Sequence, residues 1–174
     1  MKCEEFRKKF KEKYGFEWNP HSFNWSGRYS YVEEFVREFR DYFDCWWDPE
    51  LYDYDYVEFL AKYCNKYFDK WWDPKKYFEH HDMIYKLAKY CSNHFDKWWD
   101  PTKVHWYYDS PYLAEYCSEH FEKWWDEDKF HFNKDTIEAL FRCCNDYKHL
   151  WYEGVCLTDK RLYLTYDDDE PDYC

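Results

Sequence analysis

The chain has 174 residues, of which 36% are charged and 28% aromatic, with only 3 glycines and a formal net charge of −12. No run of about 18 apolar residues is present to cross a membrane, and so few glycines leave little from which to build a phosphate-cradling loop. The charge is uneven: residues 1–40 hold 9 basic and 7 acidic side chains and residues 41–174 hold 16 and 30, a net of −14 that repels nucleic-acid phosphates and favours a basic protein surface.

The opening stretch, MKCEEFRKKFKEKYGF, is charged throughout and has no apolar core of the kind a secretory signal needs. Nine cysteines, an odd number, then point to a reducing compartment, the cytoplasm, with the thiols free. Phe6, Phe10 and Tyr14 recur at helical spacing and lead into Trp18 and Pro20. Residues 1–29 therefore read as a degenerate first repeat that caps the N-terminal end of the array.

Residues 30–153 repeat. Aligning the pairs that begin at Trp46, Trp71, Trp98 and Trp124, and the single Trp151, gives spacings of 25, 27, 26 and 27. Seven residues before each stands a column of Phe39, Cys64, Cys91, Cys117 and Cys144. Four residues before that column lie Phe35, Leu60, Leu87, Leu113 and Leu140, followed by Val36, Ala61, Ala88, Ala114 and Phe141. Four residues after it come Phe43, Phe68, Phe95 and Phe121, with Lys148 breaking the pattern. These steps trace one face of a helix. The first tryptophan continues that face, its neighbour turns about 100° away, and the Asp-Pro after the pair stops the helix.

Ser30, Asp55, Asp82, Ser110 and Asp135 are expected N-caps, three of them with a glutamate three residues on and Ser110 followed by Pro111. The residue after each repeated cysteine (Asn65, Ser92, Ser118, Asn145) is a cap type too. The unit is either one long helix or two short ones meeting there, with two short ones favoured. Between repeats, Pro20, Phe23 and Trp25 and their counterparts up to Phe130 and Phe132 suggest short extended segments that pin rings under the helices. In the tail, Gly154 suits the position just past a helix, residues 154–166 alternate as a β-hairpin cap, and the acidic residues 167–174 are expected to be disordered. The fold expected is all-α: an α-solenoid of about six repeats of about 26 residues with a small C-terminal hairpin.

Few residues invite chemistry. One cysteine per repeat puts the thiols in layers about 9–10 Å apart, whereas zinc needs its sulfurs about 2.3 Å from one point, so the cysteines are expected to be buried and structural. His94 and His120 share one repeat position, which favours packing over catalysis. His80 and His81, beside Asp82, are the remaining corner for a metal or an acid–base group. Asp48, Asp73, Asp100 and Asp126 each follow a tryptophan pair and suit turn formation better than paired catalytic work. No catalytic residue, cofactor or metal is expected.

The units FDKWWDPKKYF (68–78) and LAKYC (60–64 and 87–91) resemble the uncharacterised tandem helical repeats, of WWDP type, found in proteins of phages and giant viruses. The resemblance covers about residues 4–152, rests on Trp71, Trp72, Asp73, Pro74 and their counterparts, and implies no catalytic residues. For a viral source it implies an acidic protein of the host cytoplasm, an anti-defence factor that blocks a basic nucleic-acid-binding surface of a host protein. The function expected is a non-enzymatic protein-binding module that binds no nucleic acid directly and no membrane. A structural or self-assembling repeat, a homo-oligomer, is the alternative. Trp47, Trp72, Trp99 and Trp125, with Asp73 and Asp100, are the candidate partner-binding residues.

Overall fold

A computed structural model describes residues 1–25, 28–52, 54–78, 82–130 and 133–154. Every regular element among them is helical and none is a strand, which makes the class all-α. None of the described helices is long and apolar enough to cross a membrane. All but the first residue of the expected hairpin, and the whole acidic tail, lie outside the described residues.

The first helix, α1 (Lys2–Tyr14), buries Phe6 and Phe10, one turn apart. It stops at Gly15, whose φ of 80° is the left-handed conformation that glycine adopts without strain, and the Gly15 N–H closes the last turn on the Lys11 carbonyl at 2.8 Å.

Each later repeat then builds one motif. A helix ends at the Phe/Cys column, three residues form a tight 3-10 turn, and a short helix comes next. The motif comprises α2 (Tyr29–Phe39) with α3 (Phe43–Trp46), then α4 (Val57–Tyr63) with α5 (Phe68–Trp71). A short α6 (Pro74–Tyr77) leads to α7 (Met83–Cys91) with α8 (Phe95–Trp98). The last are α9 (Trp106–Tyr116) with α10 (Phe121–Trp124), and α11 (Lys134–Cys143) with α12 (148–154). The helix thus does break after the column, as the two-helix expectation had it, but through a 3-10 turn that begins at Asn65, Ser92, Ser118 or Asn145 rather than a side-chain cap.

The expected helix starts need correction. Ser30 lies inside α2, whose cap residue is Arg28. Asp55 lies inside a 3-10 turn, Tyr54–Tyr56. Asp135 lies inside α11, which is capped instead by Asn133, whose side chain accepts the Thr136 N–H at 2.9 Å. Asp82 directly precedes α7, and its carboxylate holds Lys86 at 2.9 Å. The start of α9 is five residues earlier than Pro111 implies. Proline is tolerated there because the Tyr107 carbonyl, which loses its donor at Pro111, accepts the Asn133 side-chain amide at 3.2 Å. Among the described residues the segments between repeats are turns and short helices, not extended strands; of the side chains expected to be pinned there, Phe23, Trp25, Tyr52 and Phe130 are buried, whereas Val104 and Trp106 are only half-buried. Gly154 ends α12 instead of standing just past it.

The chain divides into two compact units, residues 1–86 and 87–174, with the boundary inside α7. In the first, α2 lies beside α4, and α1 lies against the turn and short helix after α2. The core is a ring cluster: Trp18 stacks on Phe35 at 5.2 Å and 8°, and Phe6 meets Phe39 edge-on at 5.2 Å. In the second unit α9 lies beside α11.

The same links join successive repeats inside each unit. Tyr67 stacks on Phe43 of the repeat before it at 4.6 Å and 12°. His120 stacks on Phe95 at 4.5 Å and 17°, and Tyr147 on Phe121 at 4.6 Å and 8°. Outside the rings, Lys66 pairs with Asp41, Lys70 with Asp44 and Lys123 with Asp96, at 2.5–2.6 Å. The Leu column is fully buried, and Ala61, Ala88 and Ala114 beside it are buried too. The last repeat has Phe141 at the alanine position, 44% exposed.

Candidate interaction surface

The two tryptophans of each pair have separate tasks. The first is buried, and its indole N–H donates to the carbonyl of the column residue seven positions earlier. Trp46 donates to Phe39 at 2.8 Å, Trp71 to Cys64 at 3.1 Å, Trp98 to Cys91 at 2.9 Å, Trp124 to Cys117 at 2.8 Å and Trp151 to Cys144 at 3.0 Å. These carbonyls end a helix and lack the N–H four residues on. In three repeats the same oxygen also accepts the backbone N–H three residues later, from Tyr67, His120 or Tyr147. The indole is a side-chain cap that no local cap residue provides.

The second tryptophan lies outside the helix. Trp47, Trp72, Trp99 and Trp125 have extended backbones, with φ of −65 to −71° and ψ of 119 to 126°. The helix therefore stops one residue before the Asp that was expected to stop it. Each ring is half-buried and lies on the phenylalanine of its own repeat, at 5.2 Å for Trp47 on Phe43 and 5.0 Å for Trp99 on Phe95. Phe43, Phe95 and Phe121 are each sandwiched between this ring and the ring of the next repeat. Trp72 also packs on Tyr77 and Phe78, and its indole nitrogen is buried with no hydrogen-bond partner among the described residues.

The aspartates shape turns. Asp48, Asp73 and Asp100 accept the backbone N–H two residues on at 2.9–3.0 Å, and Asp100 also accepts the Thr102 hydroxyl at 2.7 Å. Asp73 is exposed and Asp100 half-buried. Hydrogen bonds from Thr102 hold the Asp100 carboxyl below its usual range.

Cys64, Cys91, Cys117 and Cys144 are buried thiols outside any disulfide, and burial pushes each up to about 12. The expectation that all thiols are free fails at one place. Cys3 and Cys45 are joined by a disulfide, because α1 brings its first turn within 5.2 Å (Cα to Cα) of the short helix α3. No pattern of residues signals this pairing, since the two lie 42 residues apart in different repeats. No cluster of three or more metal-ligating side chains occurs among the described residues. His80 and His81 lie outside them.

Sequence reasoning passed over Asp109. It is 3% exposed, and burial raises its pKa against the opposing hydrogen bond from the His105 backbone N–H at 2.8 Å. That bond fixes the start of α9. Beside it, an open cleft of about 350 Å³ is lined by Val104, His105, Trp106, Tyr107, Asp128 and Lys129. Lys129 is tied to Asp126 at 2.6 Å and lies over the Trp106 ring.

No protein-family model matches the chain, and no curated protein and no solved structure is significantly similar to it.

Proposed function

We propose that the chain is a non-enzymatic protein-binding repeat module whose units continue one another as an α-solenoid, and that its partner presents a basic surface. One observation carries this: each repeat from the first full one to the fourth leaves a half-exposed tryptophan at the same backbone position, next to an acid. The other polar groups of the motif are engaged in the architecture, as helix caps, turn acceptors or buried thiols. Tryptophan is a favoured interface anchor because it buries much area and loses little side-chain entropy. The net charge of −14 over residues 41–174 supplies the complement to a basic partner. In its sharper form the module is an anti-defence inhibitor in the host cytoplasm that covers a nucleic-acid-binding surface; the acidity and the resemblance of the repeat support that form.

The test is affinity capture from nuclease-treated host lysate at low and high salt, and then binding of Trp72→Ala/Trp99→Ala. A basic protein released by salt, and a variant that stays folded but binds at least about tenfold more weakly, support the module. Recovery of the bait alone, as a salt-resistant oligomer, favours the self-assembling alternative. The exposed Phe141 and Leu150 of the last described repeat speak for that alternative.

A further inference from the structure

The register that aligns the tryptophan pairs also aligns the residue just before each pair. It is Lys70, Lys97 and Lys123 in three repeats and Cys45 in the first full one. From this position Lys70 reaches back 2.6 Å to Asp44 and Lys123 reaches back 2.5 Å to Asp96, each in the preceding repeat. Cys45 also reaches back, but covalently, to Cys3 in α1 of the degenerate first unit. The first repeat has exchanged a lysine that ties repeats by charge for a cysteine that ties them by a bond.

That bond differs in access from the cysteines of the repeated column. Cys3 is exposed and Cys45 half-buried, whereas Cys64, Cys91, Cys117 and Cys144 are sealed in the core; Cys143, beside the last of them, is half-buried and outside any disulfide. Without the bond, α1 is held by Phe6 and Phe10 against Phe39 and Phe35, by Lys13 bonded to Glu34 and Glu38, and by Tyr42 bonded to Glu5 and Lys9. If α1 leaves, it bares Phe35 and Phe39, rings at the heart of the first unit.

We propose that Cys3–Cys45 is a redox-controlled clasp on the N-terminal cap, closed by exchange with a small-molecule disulfide of the glutathione type and opened by the matching thiol. In closing, the thiolate of one cysteine attacks a sulfur of the small disulfide, forms a mixed disulfide and expels one small-molecule thiolate. The thiolate of the other cysteine then attacks the protein-side sulfur and expels the second. Two protein thiols are oxidised, one small disulfide is reduced to two thiols, and the two protons pass to them. The interior repeats are tied by ion pairs that no thiol touches, so the control is confined to α1. It rests on the first unit's own contacts and stands whether or not the chain binds a protein partner.

The test is hydrogen exchange read by mass spectrometry on the full chain in reduced and in oxidised glutathione, with peptide mapping of the linkage. The Cys3–Cys45 peptide forms in the oxidised buffer, and amides of α1 exchange about tenfold or more slowly there than in the reduced buffer. Amides of α9 and α11 exchange equally in both. Cys45→Lys, which restores the residue of the other repeats, and Cys3→Ser each remove the difference at α1. The proposal is overturned by absence of the linked peptide in the oxidised buffer, by equal α1 exchange in the two buffers, or by a redox response that survives both substitutions.

Discussion

The indole N–H of Trp71 donates to the carbonyl oxygen of Cys64, seven residues earlier and 3.1 Å away, and the same bond recurs in each full repeat. It explains why the first tryptophan of the pair recurs. The column residue ends a helix in a dry core, and its carbonyl, which the 3-10 turn serves with at most one backbone N–H, takes a second donor from beyond that turn. An indole has that reach and fills the core besides.

Adjacent tryptophans should therefore respond oppositely to the same substitution. Trp71→Phe keeps a ring but leaves the buried Cys64 carbonyl with only the Tyr67 backbone N–H, and should cost about 0.5–1.5 kcal/mol. Trp72→Phe removes a buried N–H that has no partner among the described residues, and should be close to neutral or slightly stabilising. Urea unfolding of the two variants checks this; equal losses would mean that ring volume, not the hydrogen bond, fixes the first position.

The buried thiols should be inert. With Cys64, Cys91, Cys117 and Cys144 pushed up to about 12, almost no thiolate exists at pH 8. Iodoacetamide should label them on the timescale of unfolding in the native protein and within minutes in urea. Rapid native labelling of any of the four would show that its site opens readily.

The inter-repeat ion pairs set the pH dependence. Lys66 holds Asp41, and Lys123 holds Asp96, below the usual carboxylate range. A carboxylate with a folded pKa below its unfolded value contributes stability above the unfolded value, about 4. That contribution is lost as pH falls through the folded pKa. Lys66, raised by Asp41, loses its own contribution only as pH rises through a value above the ordinary lysine range. Thermal unfolding should show a plateau between these limits and a falling acid arm, and Asp41→Asn with Asp96→Asn should flatten that arm. An unchanged arm would assign it to other carboxylates.

The residue before each repeated phenylalanine is a stacking residue first. His120 lies on Phe95 as Tyr67 lies on Phe43. His120→Tyr should fold with near-normal stability, whereas His120→Ala should lose about 1 kcal/mol, the worth of one stacked pair. A marked loss in the tyrosine variant would give the His120 Nε2 contact with the Ser92 carbonyl, at 3.0 Å, the larger part.

Much of this architecture is legible in the sequence because it is local and periodic. The helical face and the burial of the Leu and Cys columns come from a pattern that only one regular structure can bury. That the second tryptophan leaves the buried stripe is legible too, since the residue after a stripe position turns away from it; that it does so on extended backbone, just past the helix end, is not. Helix starts are misplaced for a physical reason. A serine or aspartate is only one way to satisfy a first turn, and Asn133 two residues before Asp135 and the Asp109 carboxylate on His105 satisfy it instead.

By itself, the sequence determined that the chain is helical, repeated, aromatic-cored and acidic beyond its first 40 residues. Those properties come from composition and spacing, which act within a turn or two of the chain. Tertiary structure alone decided which carbonyl each first tryptophan caps, which lysine meets which aspartate a repeat away, and that Cys3 meets Cys45. The last two depend on positions 25 or more residues apart brought within a few ångströms, and the first on a bond that reaches seven residues back across a tight turn; no local preference encodes either.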